Sequence, residues 1–378
     1  MTGAPAQKVL IAGGGIYGLL TAWWLAKKGV AVEIFDKGPL PCPGNSSHDE
    51  HRITRHAYGK LEHYARMMPR AFKAWDTLWE DLGVSHYHPT GSLYCLRVED
   101  GWYAPTTRAL DEMGIGYHDV PLSEVAEKYP YVETDGLLRA VWTDGTGLLF
   151  PIRIMTDVVV RLLELGVKLH AYSEVTEIDP EAGTLVANGK TYSGDQVVVS
   201  TGPWIDRLVP GLRGVAVPSR QAVAYLAPPP DLMQAWRTAP IVVVRDVGAG
   251  LYTLPPRAGA RLKVGDHRFS REGNADEDRT ATEHDLSAIW PGFNRSFARS
   301  GEYGLIEGRA CFYTVTEDEG FIVKSLGARG FCVSACSGHG FKLSALISWG
   351  LAEALTGARP AATVGDWAAA KLSTEDWQ

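Results

Sequence analysis

The first 40 residues constrain the fold of this chain more than any other segment, because they contain a strand, a helix and a second strand in succession. Lys8–Ala12 is a short apolar run that predicts a buried parallel strand. Residues 19–28 have helical periodicity with lysines in the last turn, and Gly29 is placed to end that helix. Residues 30–35 predict the second strand. This order is typical of a βαβ unit in a parallel sheet.

The turn inside this unit has the residue types that a dinucleotide needs. Gly13, Gly15 and Gly18 form the pattern G-x-G-x-x-G. The first glycine permits a tight turn, the second lets a pyrophosphate approach the backbone, and the third brings helix and strand close together. Asp36 ends the second strand, where it can accept hydrogen bonds from a ribose diol. The segment therefore predicts a dinucleotide site, and its N-terminal position without a second such motif favours FAD over NAD.

Composition excludes several classes of protein. A chain of 378 residues suits two domains or one large α/β domain with insertions. The net charge of −7 provides no broad basic surface for nucleic acid or an anionic membrane. No apolar run approaches the ~20 residues of a membrane span, and the N-terminal residues lack the pattern of a leader peptide. We therefore expect a cytoplasmic monomer whose partners are small molecules.

The cysteines predict no metal centre and no disulfide framework. There are five, an odd number, and they are widely spaced without a C-x-x-C pair: Cys42, Cys95, Cys311, Cys332 and Cys336. Cys332 and Cys336 are expected to be packing residues.

Beyond residue 40 the pattern predicts a second unit inserted into the nucleotide-binding one. Residues 62–82 have helical periodicity, and residues 88–98 alternate as a strand does. The pair Asn188 and Gly189 predicts a hairpin turn. The apolar residues 197–200 predict a strand that returns to the nucleotide-binding sheet. The chain is thus expected to have an α/β fold, with a nucleotide-binding domain assembled from separated pieces.

Four further segments follow the glycine motif: "SSHDEHRITRHAYG" (46–59), "LKVGDH" (262–267), "GRACFYTVTEDEGFIV" (308–323) and "SGHGFK" (337–342). In order and spacing they resemble the monomeric sarcosine oxidase and pipecolate oxidase group, flavoenzymes of the D-amino-acid-oxidase-like fold. The resemblance covers most of the chain. It implies a Rossmann-like FAD-binding domain with an inserted substrate domain built on an antiparallel sheet. We assign residues 1–87, 145–218 and 305–378 to the FAD-binding domain, and residues 88–144 and 219–304 to the substrate domain.

Cys311 lies in the segment that resembles the family's site of covalent flavin attachment. Taken alone, a cysteine at the end of a strand is more readily a small packing residue. The resemblance implies that its sulfur carries FAD through a thioether to the 8α-methyl carbon. Because a thiolate is the nucleophile, a cationic environment that lowers the pKa of the thiol would favour this attachment.

Arg52 and Arg55 stand three residues apart and would share one face if the segment were helical. With His48, His51 and His56 they would form a dense cationic patch in an acidic protein. The alternative is an ordinary solvated basic face.

The resemblance implies that Arg55 and Lys342 bind the carboxylate of a substrate, that Arg52 lies beside the flavin ring, and that His48 is close by. A guanidinium can bind a carboxylate through two parallel hydrogen bonds, which a lysine at the position of Arg55 would not reproduce.

Three more residues match the family's active site. Lys263 lies in a strand pattern, where an outward-facing lysine would be ordinary. The resemblance implies instead that it contacts the flavin through water and promotes the reaction of reduced flavin with oxygen. His267 matches an active-site histidine, and Tyr313 matches a tyrosine of the substrate pocket.

The end of the chain contributes a helix, and the sequence departs from the family at one place. The turn of Gly338 and Gly340 opens a helix whose N-terminus would direct positive charge at the flavin. The family often has two adjacent tyrosines before the lysine strand, whereas here Tyr252 is followed by Thr253. One aromatic wall of the substrate pocket is therefore expected to be missing.

The resulting functional prediction is FAD-dependent oxidation of a secondary amine that carries a carboxylate, with oxygen reduced to hydrogen peroxide. N-methyl amino acids and cyclic imino acids are the candidate substrates. Two alternatives stay open at this point. One is a dehydrogenase that passes electrons to another acceptor, and the other is a flavin monooxygenase.

Overall fold

The computed structural model describes residues 7–248 and 250–372 of the chain. The strands are β1 (Lys8–Ala12), β2 (Ala31–Phe35), β3 (Arg52–Thr54), β4 (Tyr87–Pro89), β5 (Ser92–Leu96), β6 (Tyr117–Asp119), β7 (Arg139–Thr143), β8 (Gly147–Leu149), β9 (Lys168–His170), β10 (Val175–Asp179), β11 (Thr184–Ala187), β12 (Lys190–Ser193), β13 (Gln196–Val199), β14 (Val217–Ala227), β15 (Ile241–Arg245), β16 (Leu251–Leu254), β17 (Leu262–Asp266), β18 (Gly304–Val315), β19 (Ile322–Gly327) and β20 (Gly330–Ser334).

The α helices are α1 (Ile16–Lys27), α2 (Glu62–Leu82), α3 (Tyr103–Met113), α4 (Leu122–Lys128), α5 (Pro151–Glu164), α6 (Ile205–Leu208), α7 (Met233–Thr238), α8 (Glu283–Ser287), α9 (Trp290–Ser296), α10 (Gly340–Leu355) and α11 (Val364–Ala368). Short 3₁₀ turns occupy Gly202–Trp204, Pro210–Leu212 and Ser300–Glu302. No helix in the described part of the chain combines the length and the hydropathy needed to cross a membrane.

The predicted nucleotide-binding sheet is present and has six strands in the order β19-β20-β13-β1-β2-β9. Five of them run parallel, and β19 pairs with β20 in the antiparallel sense. The last four residues of β1 are buried, because a parallel sheet is covered on both faces. Helix α1 is apolar on nearly all sides, which fits its position against the sheet and against α5 and α10.

Helix α1 begins earlier than the sequence predicts, at Ile16 rather than at residue 19. Gly18 therefore lies in its first turn. A side chain there would come within 2.0 Å of the carbonyl oxygen of Gly13, so the helix can start this close to the turn only with glycine at this position.

The eight-stranded sheet, in the order β18-β14-β17-β16-β15-β5-β7-β6, is antiparallel except for the pair of β5 and β15. One face packs Val242, Leu251 and Val264 against residues of α4, α7, α8 and α9. The opposite face bears Tyr94 and Tyr252 and faces the rest of the molecule. Successive side chains of a strand point to opposite faces, so this division follows the alternation in the sequence. The two sheets together confirm the predicted α/β fold.

The hairpin at Asn188 and Gly189 is confirmed. It joins β11 to β12, and both residues have positive φ angles, 49° and 73°. Asparagine followed by glycine accepts this left-handed geometry, which matches the twist of the two strands.

Residues 88–98 do not form the single strand that the sequence predicts. Strand β4 joins β8 in a small three-stranded sheet with β3, whereas β5 joins the eight-stranded sheet. Gly91 separates them with a φ of +65°, and a side chain there would lie 2.2 Å from the ring of Trp142. The chain changes sheets where only glycine fits.

Arg52 and Arg55 do not share a helical face, because the condition of a helical segment is not met. Arg52 belongs to β3, which pairs with β8, and Arg55 follows the strand directly. The segment is extended because Ile53 pairs with Leu148, a core residue that the strand helps to cover.

The predicted domain boundaries remain a prediction, and three of the four fall inside strands, namely those after residue 87 in β4, after residue 218 in β14 and after residue 304 in β18. Strand β14 spans residue 218, and β18, which begins at residue 304, pairs with β14 along its length. Residues 311 and 313 therefore belong to the eight-stranded sheet. Residues 1–6, 249 and 373–378, which the predicted ranges include, lie outside the described residues.

Candidate active site

A cavity follows the carboxyl ends of β1, β2 and β13 and continues to the start of α10. Its lining includes seven of the residues selected from the sequence: Gly13, Gly15, Asp36, Arg52, Tyr313, Gly338 and Gly340. Trp204 and Cys336 line it as well, although the sequence indicated packing for Cys336. The carboxyl ends of the strands are the usual ligand-binding edge of such a sheet.

The glycine-rich turn has the shape that a pyrophosphate requires. Gly13 has a φ of +104°, and a side chain there would lie 2.5 Å from the carbonyl oxygen of Ser200. A β-carbon on Gly15 would instead have Ser47 Oγ at 3.5 Å as its nearest neighbour, so the space beside Gly15 belongs to the cavity. Gly15 also immediately precedes α1, whose N-terminal amides favour an anion.

Asp36 supports this turn and keeps acceptor capacity for a ligand. Its Oδ2 accepts a hydrogen bond from the backbone N–H of Gly14 at 2.8 Å, and its Oδ1 accepts one from that of Gly38 at 2.8 Å. A carboxylate has about four acceptor positions, so two remain for hydroxyl groups such as those of a ribose. The residues present therefore fit a dinucleotide such as FAD.

The pleat of the eight-stranded sheet brings four predicted site residues to one face. Lys263 and Tyr252 lie on neighbouring strands of that face, through the register that pairs Lys263 with Leu254. Lys263 also pairs with Tyr225 of β14. On the next ladder Tyr225 pairs with Glu307 of β18. Cys311 and Tyr313, four and six residues further along β18, therefore point to the same side.

Lys263 is fully buried and forms an ion pair that the sequence did not predict. Its ammonium donates to Asp49 Oδ2 at 2.9 Å and to the carbonyl oxygen of His51 at 2.7 Å. Arg52 Nη2 lies 3.2 Å from the same carboxylate oxygen. Burial opposes ionisation of Asp49, but the charges of Arg52 and Lys263 outweigh it and hold the pKa of Asp49 well below its usual range. The ordinary outward-facing lysine is thereby excluded.

Arg55 and Lys342 both lie near the ring of Tyr58. Arg55 Nη1 donates to Tyr94 Oη at 3.0 Å and to the carbonyl oxygen of Ala57 at 2.8 Å. Lys342 Nζ is buried and lies 3.4 Å from the carbonyl oxygen of His339. Within the described residues, neither cation forms an ion pair with a carboxylate, and Arg55 Nε has no hydrogen-bond partner. Burial and the charge of Arg55 lower the pKa of Lys342 well below its usual value.

The histidines do not add to the positive charge, so the predicted dense cationic patch is wrong. Burial and the charge of Lys263 lower the pKa of His51 to about 3. Burial lowers the pKa of His56, and burial together with Arg309 lowers that of His48. His48 Nδ1 lies 3.0 Å from Arg309 Nη2. The arginines alone carry the positive charge of this segment.

His267 lies beside Tyr252, with 5.2 Å between the ring centroids. The His267 side chain borders open space, but desolvation by the surrounding chain, with the charges of Arg55 and Lys342, lowers its pKa to about 3. A neutral imidazole thus stands near the two unpaired cations.

Cys311 is half-buried on β18, close to Arg52. Burial raises the pKa of its thiol, and the opposing charges of Arg52 and Lys263 do not overcome that effect. The expected lowering of this pKa by a cationic environment is therefore wrong for the chain alone.

The turn before α10 needs its two glycines for close packing. A side chain on Gly338, whose φ is +75°, would lie 2.6 Å from the ring of Tyr313. One on Gly340 would lie 2.7 Å from Tyr17 Oη and closer still to Cys336. The start of α10 is thus held against the cavity wall.

Thr253 does not leave a gap in the substrate pocket. It is adjacent to Tyr252 on β16, so its side chain points to the opposite face of the sheet, where it is fully buried beside Val242 and Val264. The expected loss of an aromatic wall is wrong, because Tyr58 and Tyr94 supply aromatic rings near Arg55.

Comparison with known proteins agrees with this geometry. The family described as FAD dependent oxidoreductase (DAO) matches residues 8–354. The chain belongs to this family.

Relatives within the oxidoreductase family cover nearly the whole chain. The monomeric sarcosine oxidase of Bacillus sp. (strain B-0618) is 26% identical over 367 residues, which are 92% of either chain. The N-methyl-L-tryptophan oxidase of Yersinia pestis (strain Pestoides F) is 25% identical over 353 residues, which are 90% of this chain and 92% of that protein. The predicted class, an FAD-dependent oxidoreductase related to sarcosine oxidase, is confirmed.

Solved structures have the same fold at lower identity. The L-proline dehydrogenase from P. horikoshii aligns with a TM-score of 0.81 at 20% identity and covers 97% of both chains. The glycine oxidase from Bacillus cereus ATCC 14579 aligns with a TM-score of 0.77 at 17% identity, over 95% of this chain and 97% of that one. This likeness confirms the predicted fold class.

Sequence reasoning missed the residues that support the charged side chains of this oxidoreductase. Asp49 pairs with Lys263 and Arg52, and the Tyr225 hydroxyl donates a hydrogen bond to Asp49. The ring of Tyr58 lies beside Lys342, and Tyr94 accepts a hydrogen bond from Arg55. One indication of Asp49 was present in the sequence: with Glu50 it forms a pair of adjacent acids among histidine and arginine residues, in a segment that leads into a strand.

Proposed function

We propose that this chain catalyses the FAD-dependent oxidation of a secondary amine that carries a carboxylate, producing an imine and hydrogen peroxide. The observation that carries the proposal is the pair of cations Arg55 and Lys342, which lack an acidic partner within the described residues. A buried cation without a counter-ion is costly, so such a pair is suited to a ligand that brings its own negative charge.

The substrate carboxylate would bind between these two cations. Arg55 has one guanidinium nitrogen without a hydrogen-bond partner, and Lys342 makes only one long contact, at 3.4 Å. Relatives named for oxidation of sarcosine and N-methyl-L-tryptophan support a carboxylate-bearing N-methyl amine. A cyclic imino acid has the same two groups and is the second substrate class within this proposal.

The same charges favour the reactive form of the amine. A nearby cation lowers the pKa of an amine, because it disfavours the ammonium form. The rings of Tyr252 and Tyr58 and the neutral imidazole of His267 would form uncharged walls around the amine. No carboxylate of the described chain is needed as a base.

FAD would occupy the cavity, with its pyrophosphate at Gly13 and Gly15 and a ribose at Asp36. When bound, FAD would accept two electrons and one proton from the amine, and loss of a second proton from nitrogen would leave the imine; the two electrons and two protons would reduce oxygen to hydrogen peroxide. We assign Cys311 as the point of covalent attachment, since it lies on the face of β18 that points toward the cavity wall at Tyr313.

The remaining groups would contact the flavin or stabilise negative charge on the cofactor and on oxygen. Arg52, which lines the cavity, would contact the flavin, with His48 nearby. Lys263 would stabilise the negative charge that develops on oxygen as it is reduced. The start of α10 would direct its positive end toward the cofactor from the wall at Gly338 and Gly340.

The proposal is tested with paired amines that differ only in the carboxylate. N-methyl amino acids and proline-like imino acids are mixed anaerobically with the purified flavoprotein, and flavin bleaching is followed. The matching amines without the carboxyl group serve as controls. We expect bleaching by at least one carboxylated member and little by its partner; equal bleaching by both would contradict the assigned role of Arg55 and Lys342.

The choice between oxidase and dehydrogenase is made in the second half of the same experiment. Air is admitted to the bleached protein, and peroxide is measured. Fast recovery of the yellow colour with one peroxide per flavin supports the oxidase, whereas slow recovery that an artificial electron acceptor accelerates would favour the dehydrogenase. Bleaching by NADPH would favour a monooxygenase.

A further inference from the structure

A single carboxylate joins a buried lysine and a partly buried arginine at the cavity wall. Lys263 is 0% exposed and Asp49 is 3% exposed. Both Lys263 Nζ and Arg52 Nη2 approach Asp49 Oδ2, at 2.9 and 3.2 Å. Arg52 lines the cavity, so the three groups form one charged cluster directly behind its wall.

The second oxygen of Asp49 is held by groups of its own. Its Oδ1 accepts hydrogen bonds from the Tyr225 hydroxyl and from the backbone N–H of Glu50, the latter at 2.7 Å. Tyr225 is the direct cross-strand partner of Lys263 in the ladder of β14 and β17. The carboxylate is therefore fixed by the same strands that present the lysine.

Two hydrogen bonds also limit the direction in which the Lys263 ammonium can donate to a further partner. Of its three N–H groups, one donates to Asp49 and one to the carbonyl oxygen of His51. Within the described residues no third acceptor is bonded to it, which leaves one N–H group for another partner. Asp49 thus fixes the direction of the remaining donor.

The surroundings of Lys263 would not keep it charged without this acid. The cation of Arg52 repels a second charge, and the neutral His51 ring, the Cys311 thiol and the Tyr225 hydroxyl supply no counter-charge. Burial lowers the pKa of Lys263, and Asp49 is the group that raises it most. Asp49 is the one carboxylate within ion-pair distance of Lys263 in the described chain.

We propose that Asp49 is a positioning residue that keeps Lys263 charged and orients its free N–H group for the reduction of oxygen. This inference rests on the proposed function, in which Lys263 acts on oxygen. It assigns to the carboxylate a role in the pH dependence of the reaction, which a purely structural ion pair would not have.

The test needs no amine substrate. The flavoprotein is photoreduced anaerobically and mixed with oxygenated buffer, and the rate constant of reoxidation is measured between about pH 6 and pH 10. The variants are Asp49→Asn and Lys263→Met. Glu124→Gln is the matched control, since it makes the same change from acid to amide in an exposed ion pair, that of Glu124 with Lys128.

At low pH the reoxidation rate constant of the Asp49→Asn protein should approach the wild-type value. As the pH rises, it should begin to fall at a lower pH than the rate constant of the wild-type protein. The loss should reach about tenfold for each pH unit, because the charged fraction of Lys263 falls by that factor above its pKa. The Lys263→Met protein should be slow at every pH, and Glu124→Gln should retain the wild-type profile.

Two outcomes separate the possible failures. A slow Lys263→Met protein combined with a wild-type pH profile for Asp49→Asn would overturn the role of Asp49 alone. A Lys263→Met protein as fast as wild type would show that Lys263 does not act on oxygen, and both the inference and that part of the proposed function would fall.

A stability measurement covers the case in which Asp49→Asn does not fold. Removing the acid leaves two cations unpaired, so the double variant Asp49→Asn/Lys263→Met should be more resistant to denaturant than Asp49→Asn. A double variant that is no more stable would contradict the pairing on which the inference depends.

Discussion

Arg55 and Lys342, 287 residues apart in the chain, both hold their charge near the ring of Tyr58, at 5.5 and 5.3 Å from its centroid. A ring face attracts cations and so partly compensates for burying them together. The compensation is smaller than that of a carboxylate, which explains why a carboxylate ligand would bind tightly here.

Replacing Arg55 with alanine should weaken carboxylate substrates selectively. Loss of one partner of a buried charge pair costs about 2–5 kcal/mol, or roughly a 30-fold or larger rise in KM. Arg108, a largely exposed arginine, provides the control Arg108→Ala, which should leave KM unchanged. The amine without its carboxyl group should respond little to either substitution; an equal loss for both amines would contradict the assignment.

Binding of a carboxylate should be coupled to uptake of a proton at Lys342. Its pKa in the free protein is lowered by burial and by Arg55, and a bound carboxylate would raise it. Affinity should therefore be highest at low pH and fall as the pH rises from the free pKa to that of the complex.

A carboxylate without an amine, such as butyrate, isolates this effect, because it has no ammonium group to lose a proton. Calorimetry in two buffers of different ionisation enthalpy, at a pH where the affinity has begun to fall, should give different binding enthalpies, and Lys342→Met should give equal ones. Equal enthalpies for the wild-type protein would mean that Lys342 does not change its protonation state.

The sequence was sufficient for the parts of the fold that depend on local pattern. Lys8–Ala12, the glycine turn and the hairpin at Asn188 each have a residue requirement that the neighbouring sequence reveals. Residues 262–267 likewise alternate, which was enough to predict the strand that carries Lys263.

The sequence was not sufficient where long-range contacts decide the outcome. The pairing of Asp49 with Lys263 joins residues 214 positions apart, and no local pattern encodes it. The pKa values of His51 and His267 depend on burial and on cations from distant segments, so counting histidines as positive overestimated the charge. For Thr253, the alternation of the strand already excluded a role in the pocket.

Cys311→Ser should abolish covalent flavin attachment without emptying the cavity. The denatured wild-type protein should show a flavin-fluorescent band on a gel, and peptide mapping should place the flavin at Cys311. Cys336→Ser is the matched control, because Cys336 also lines the cavity and bears a thiol. If the fluorescence remained in the Cys311→Ser protein but was lost in the Cys336→Ser protein, the flavin would be attached to Cys336 and not to Cys311.

Gly15→Ala should separate cofactor binding from folding. The new β-carbon would have no neighbour closer than 3.5 Å within the described chain, so the apoprotein should unfold close to the wild-type midpoint. The methyl group would instead occupy space in the cavity, where a pyrophosphate approaches the backbone. In a Cys311→Ser background, which makes binding reversible, FAD affinity should fall by about tenfold or more, or about 1.4 kcal/mol.

Substitutions of two further glycines serve as controls for Gly15→Ala. Gly211→Ala places its β-carbon in open space at an exposed position and should change neither stability nor FAD affinity. Gly18→Ala would place a carbon 2.0 Å from the carbonyl oxygen of Gly13 and should impair folding itself. If Gly15→Ala bound FAD as the Gly211→Ala protein does, the pyrophosphate would not lie at this turn, and the cofactor would have to enter the cavity in another orientation.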